Sequence, residues 1–136
     1  MKKIMFVCLG NSCRSQMAEG FARVLGEGKV ETFSAGTQAG GYVHPKAIAV
    51  MREKGIDISG QHSKQFDLEV AKEMDLVVTV CDESQECPIL PKEIQHCHIP
   101  IEDPFNVPGD EEAHLNAFRK ARDEIETMVQ NILKEF

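Results

Sequence analysis

The chain has 136 residues, enough for one domain spanning 1–136 with a single core, and 42% of them are apolar. Acidic residues (22) outnumber Lys and Arg (15), and the formal net charge of −7 excludes nucleic acid and anionic membrane surfaces as partners. An anionic ligand therefore has to be held by local donors rather than by the global field. No apolar run approaches a membrane span, and Met1-Lys2-Lys3 opens directly on an apolar stretch without a signal-peptide core, so a cytoplasmic, monomeric protein is expected. Five cysteines, an odd number, do not read as a disulfide framework in that compartment. Their spacing misses the paired pattern of a zinc site, so no metal and no cofactor is expected, and some of the thiols read as catalytic or redox groups.

Residues 3–8 read as a first strand, apolar throughout and therefore central and covered on both faces. It runs into Cys8-Leu9-Gly10-Asn11-Ser12-Cys13-Arg14-Ser15, where a helical pattern begins. A loop of this length between a strand and a helix start can curl its N–H groups around one tetrahedral oxyanion, and the helix N-terminus adds donors and a positive dipole end. Leu9, Gly10, Asn11, Ser12, Cys13 and Arg14 are the expected oxyanion-binding residues. Gly10 is expected at positive φ, and Asn11 tolerates the left-handed region. Arg14 offers a planar fork to two oxygens. The donors that hold an anion also stabilise a thiolate, so Cys8 is expected to titrate below an ordinary cysteine, with the Ser15 hydroxyl donating to its sulfur. Cys8 is the candidate nucleophile.

The helix after Arg14 carries Met17, Ala18, Phe21, Ala22 and Leu25 on one face, which reads as core, and Gly26 and Gly28 end it. Val30 to Ala35 is a second, more polar strand nearer an edge. Gly36 to Gly41 is a flexible loop, and Tyr42 just beyond it reads as packing, with pocket lining as the alternative. His44-Pro45 opens a helix whose buried face is Ala47, Ile48 and Met51, and His44 reads as a local hydrogen-bonding residue. Leu68 to Ala71 is a short helix. Asp75 to Val80 is a second all-apolar strand, ending on Cys81 as the first ended on Cys8. Cys87 follows, and Pro88 stops any helix there. His96 to Pro100 is a fourth strand, with Cys97 in its core, and Glu102-Asp103-Pro104-Phe105 is a loop. Residues 111–135 form a long helix with Leu115, Phe118, Ile125, Met128, Ile132 and Leu133 inward. Strands alternating with helices give an α/β fold with a parallel sheet and helices on both faces. The two apolar strands belong side by side, ~4.8 Å apart, with the site beyond their carboxyl ends. That gathers Cys8, Cys81 and the Asp103 loop at one rim.

Cys8-x5-Arg14-Ser15 near the start of so short a chain resembles the low-molecular-weight phosphotyrosine phosphatase superfamily. Within it, CLGNSCRS, FSAGT, HPKAI, CDESQECP and the later EDP resemble the thioredoxin-coupled arsenate reductases. The resemblance implies four parallel strands in the order 2-1-3-4. It implies catalytic roles for Cys8, Arg14, Ser15, Cys81, Cys87 and Asp103, with Asp103 as general acid. Arsenate is the implied substrate, with phosphate or sulfate as analogues, and thioredoxin the implied partner. The implied reaction is attack of Cys8 on arsenate, then a disulfide passed from Cys8–Cys81 to Cys81–Cys87 and reduced by thioredoxin. A helix over 81–87 would separate its ends by ~9 Å, beyond the ~7 Å Cα reach of a disulfide, so residues 82–90 are expected to rearrange. The family usually has six residues between these two cysteines, and this chain has five. Some members bind potassium beside the loop; Asn11, Glu19 and Ser34 match part of that site, but His62 and Lys64 do not, and Lys64 is expected to supply the charge instead.

Two other functions use the same residues. A tyrosine or small-molecule phosphatase would need only Cys8 and Asp103, and the absence of Trp and the single Tyr weigh against a phenyl-binding rim. A thiol redox sensor would need only Cys81 and Cys87, and has no use for the Cys8–Arg14 cradle.

Overall fold

The computed structural model describes residues 1–81 and 88–136. Four parallel strands form one sheet in the order β2-β1-β3-β4: β1 is Lys2–Cys8, β2 Val30–Gly36, β3 Leu76–Thr79 and β4 His96–His98. The two apolar strands are neighbours at the centre, with Val7 paired to Thr79, and β2 lies at an edge. β3 and β4 are shorter than the apolar runs imply. Asp75 spends its carboxylate on the Lys3 N–H (2.7 Å) and so caps the strand rather than continuing it. The Val80 N–H still reaches the Val7 carbonyl (2.9 Å), which carries β3 to the same rim as Cys8.

Pleating sends alternate β1 side chains to opposite faces. Ile4, Phe6 and Cys8 join the larger core, beneath α1 (Arg14–Leu25), α2 (Pro45–Arg52) and α4 (Glu111–Glu135). Met5 and Val7 join a smaller core with Val77, Ala71 and Met74, on the side of α3 (Leu68–Ala71). Helices thus cover both faces. Phe6, Phe21 and Phe118 are essentially inaccessible, and truncating any of them to Ala is expected to cost about 3–5 kcal/mol. Leu25 does not join them and is exposed. Val30 and Leu133 close over Gly26 instead, so the packing surface ends one residue past Leu25.

The helix starts follow local chemistry. His44 caps α2 through Nδ1, which accepts from the Lys46 N–H (3.0 Å), with Pro45 in the first turn. Burial, then the neighbouring Lys46 and His114, push His44 below its ordinary pKa, which keeps Nδ1 an acceptor. Asp110 caps α4 by accepting from Ala113 (2.9 Å). α4 is tied to α2 by Arg122, whose NH1 donates to the Val50 carbonyl (2.9 Å) and to Glu53 (2.7 Å), and by Arg119 on the same carboxylate. Among the described residues no helix is long and apolar enough to cross a membrane.

Candidate active site

β1 delivers Cys8 to the sheet rim and α1 begins at Arg14, so the loop between them has fixed ends. The carbonyls of that loop are taken from outside. Thr37 N donates to Cys8 O (3.1 Å), Gln38 N to Leu9 O (2.8 Å), Gly40 N to Gly10 O (2.9 Å) and His44 N to Ser12 O (2.9 Å). Gln16 Nε2 donates to Asn11 O (3.0 Å). With its carbonyls turned outward, the loop turns its amides toward a cavity of about 280 Å³ lined by Cys8, Leu9, Gly10, Ser12, Cys13 and Arg14. Asn11 is the exception. It is fully buried behind the loop, and its N–H donates to Cys8 Sγ (3.3 Å).

The left-handed residue in the loop is Asn11 (φ 49°), and Gly10 does not share that conformation, contrary to expectation. The side chain of Asn11 explains why it carries the turn: both ends of its amide are bonded, which offsets the Cβ strain. The glycine the loop needs is Gly36. A Cβ there would lie 2.6 Å from Leu9 O and 2.7 Å from Asn11 N. Sequence reasoning took Gly36 for loop flexibility; its actual role is a close approach between β2 and the oxyanion loop. Gly36 also bridges to Gln65 on its other side, which covers the edge of β2 at this end.

Cys8 Sγ lies 2.9 Å from Ser15 Oγ, as the sequence predicts, and is 2% exposed. Asn11 Nδ2 donates to the same Ser15 oxygen (2.7 Å). Arg14 is buried and braced across the sheet rim: its NH1 donates to Ile101 O (3.1 Å) and Val80 O (3.5 Å). Its NH2 lies 3.3 Å from Asp103 Oδ2. Asp103 thus stands at the cavity, and it also caps the 3-10 turn Pro104–Asn106 by accepting from Phe105 N (3.0 Å). Tyr42 and Phe105, both 47% exposed, line the mouth. For Tyr42 this is the pocket-lining alternative rather than the packing role that the sequence reading favoured. A larger groove of about 940 Å³ runs between β4 and α4, past Cys97, Ile99, Met128 and Phe136, none of which the sequence assigns to oxyanion chemistry.

The other thiols divide. Burial pushes the Cys13 thiol up to about 12, so it stays protonated and does not compete with Cys8. Cys81 is fully buried, one residue beyond Val80, with its Sγ 3.9 Å from the carbonyl of Val7, the residue before Cys8. Cys97 is only half-buried, because β4 is an edge strand, and burial still raises its pKa. Cys87 and most of the 82–90 segment expected to rearrange lie outside the described residues. The potassium-type donors do not fit a bare cation here. Lys64 Nζ stands 3.7 Å from Glu19 Oε1, the oxygen that also accepts from Ser34 Oγ, and Asn11 Oδ1 is occupied by Gln16 Nε2 and Lys64 N.

Residues 3–136 match the family described as low molecular weight phosphotyrosine protein phosphatase. The chain belongs to that family. It is 43% identical over 136 residues to an arsenate reductase of Bacillus subtilis (strain 168), covering 99% of this chain and 94% of the relative. A solved arsenate reductase in the phosphate binding state superposes with a TM-score of 0.81 at 41% identity, covering 99% of this chain and 98% of the other. A low molecular weight protein tyrosine phosphatase from T. tengcongensis superposes equally well, with a TM-score of 0.82, at 24% identity and full coverage of both chains. The family fold is therefore common to proteins named for both activities, and the fold alone does not choose between them.

Proposed function

We propose that this protein reduces arsenate to arsenite, with thioredoxin as the electron donor. The Cys8 thiolate attacks arsenic and displaces one oxygen, forming a sulfur–arsenic(V) bond. Arg14 and the loop amides hold the remaining oxygens, and Asp103 gives a proton to the departing oxygen, which leaves as water. Cys81 then attacks Cys8 Sγ. The electron pair of the sulfur–arsenic bond passes to arsenic, which leaves as arsenite, and a Cys8–Cys81 disulfide remains. Cys87 attacks Cys81, frees Cys8 as thiolate and leaves a Cys81–Cys87 disulfide. A thioredoxin dithiol returns the two electrons. The observation that carries this reading is the second buried thiol, Cys81, against the backbone beside Cys8 at the same sheet rim. The 43% identity to an arsenate reductase supports it.

A single-turnover experiment tests the reading. Reduced protein given arsenate without thioredoxin is expected to release about one arsenite per chain and to end with Cys81 joined to Cys87. Cys81→Ser is expected to release none. Wild-type arsenite yield from Cys81→Ser contradicts the relay. The exposed rings of Tyr42 and Phe105 at the cavity mouth favour a second, minor reading, hydrolysis of an aryl phosphate by Cys8 and Asp103.

A further inference from the structure

Gln16 is a polar side chain with no exposure at all, on the first turn of α1. Its Nε2 donates to Asn11 O (3.0 Å), Asn11 Oδ1 (3.0 Å) and His62 O (2.8 Å). Its own Oε1 accepts from Gln61 Nε2 (2.7 Å), which also donates to Gln16 O (3.0 Å). Arg23 NH2 reaches Gln61 Oε1 (3.4 Å) from the surface. Gly20, one turn along α1, lets this happen: a Cβ there would lie 2.6 Å from Ile58 Cγ2 and force the 58–61 loop away.

The orientation of the three side-chain amides in this network is fixed by backbone groups that have only one role. The Asn11 and His62 carbonyls make Gln16 Nε2 the donor end. The Gln16 carbonyl does the same for Gln61 Nε2. The Lys64 N–H (2.7 Å to Asn11 Oδ1) fixes the Asn11 amide, so that Nδ2 faces Ser15 Oγ. Ser15 accepts that bond, and its one proton stays available to Cys8 Sγ, 2.9 Å away, which can only accept when it is a thiolate. Arg23, Gln61, Gln16, Asn11 and Ser15 thus donate in one sense toward the sulfur, and dipoles aligned this way reinforce one another in a low-dielectric interior.

We propose that Gln16 and Gln61 are positioning residues for the Cys8 nucleophile: their aligned amides hold Asn11 in its left-handed turn and polarise the Asn11–Ser15 pair so that Ser15 donates to the Cys8 thiolate. The proposal rests on Cys8 being the nucleophile. It goes beyond that reading because neither glutamine touches substrate or sulfur.

The test is the pH profile of Cys8 alkylation by iodoacetamide, read at the Cys8 peptide by mass spectrometry, in wild type, Gln16→Met and Gln61→Met. Among the described residues, the charged and titratable groups near Cys8 and Asn11 are Arg14 and Asp103 at the cavity, Cys13 in the loop, Cys81 beyond β3, and Glu19 and Lys64 behind Asn11; none is altered in these variants. Gln16→Met is expected to lower the alkylation rate on the acidic limb of the profile about threefold and to leave the alkaline plateau unchanged. Gln61→Met is expected to lower the same limb about twofold. A lowered Tm with an unmoved profile in Gln16→Met overturns the proposal, and should that variant not fold, an unmoved profile in Gln61→Met does so. A wild-type Cys8 that alkylates like an ordinary thiol overturns the nucleophile reading as well, which separates the two failures.

Discussion

Replacing Gly36 with alanine probes the oxyanion loop without touching a chemical group. The added Cβ would stand 2.6 Å from Leu9 O, 2.7 Å from Asn11 N and 2.9 Å from Asn11 Cβ, against about 3.4 Å for ordinary contact. None of these atoms is the end of a flexible side chain, so backbone has to retreat by about 0.8 Å. β2 resists, because Gly36 is paired to Cys8 on one side and bonded to Lys64 O and Phe66 N on the other. The loop therefore moves, and it carries the amides that face the cavity and the Asn11 N–H that serves Cys8. Overpacking of this kind costs about 1–3 kcal/mol, and for a domain of this size a Tm lower by about 3–12 °C. A displacement near 1 Å in a positioning element costs about 100-fold in binding or rate. Titration calorimetry with phosphate, beside thermal melts, measures both. Phosphate affinity within twofold of wild type would refute the close-approach argument, whatever the melt shows.

Ser15→Ala removes the hydroxyl 2.9 Å from Cys8 Sγ and is expected to slow Cys8 alkylation at neutral pH about tenfold. A wild-type rate would mean that Asn11 N–H alone sustains the thiolate. With the Lys64 ammonium beside Glu19, arsenate turnover is expected to change less than about twofold between sodium and potassium salts at equal ionic strength, screening being the same in both. A steep rise with potassium would contradict the tethered charge. Glu53 is held down to about 2 by hydrogen bonds from Arg119 and Arg122. Its folded pKa lies below the ordinary 4.5, so its contribution is present above that value and is lost as pH falls toward 2. The Tm gap between wild type and Glu53→Gln is thus expected to shrink from pH 5 to pH 2.5, and a constant gap would show that the clamp is not titrating.

The alternation of elements, the two adjacent central strands and the Cys8–Arg14–Ser15 joint were legible because each is written locally, in two apolar runs, a strand-to-helix joint and a run of small polar residues; the full strand order came only through the family resemblance. What the sequence did not disclose is carried by contacts distant in the chain. Gly36 looked like a loop glycine because its constraint is the Leu9 carbonyl, 27 positions away. Gln16 looked like a polar helix residue because its partners, Gln61 and His62, come from another loop. Leu25 fitted the helical stripe, but the stripe says nothing of where α4 stops covering α1. Tyr42 gave no periodic signal, and its place at the cavity mouth follows from the segment 37–44 running alongside the loop in the same direction and donating to its carbonyls. A sequence cue for that segment existed in FSAGT and HPKAI, which flank it on both sides.

The central claim is a three-thiol relay, and the most direct test is NADPH consumption on adding arsenate to this protein with thioredoxin and thioredoxin reductase, repeated with Cys87→Ser. The account predicts sustained consumption in wild type and at most one cycle per chain in the variant. Unchanged turnover in Cys87→Ser would remove the relay, and no consumption in wild type, beside Cys8-dependent hydrolysis of an aryl phosphate, would make the protein a phosphatase.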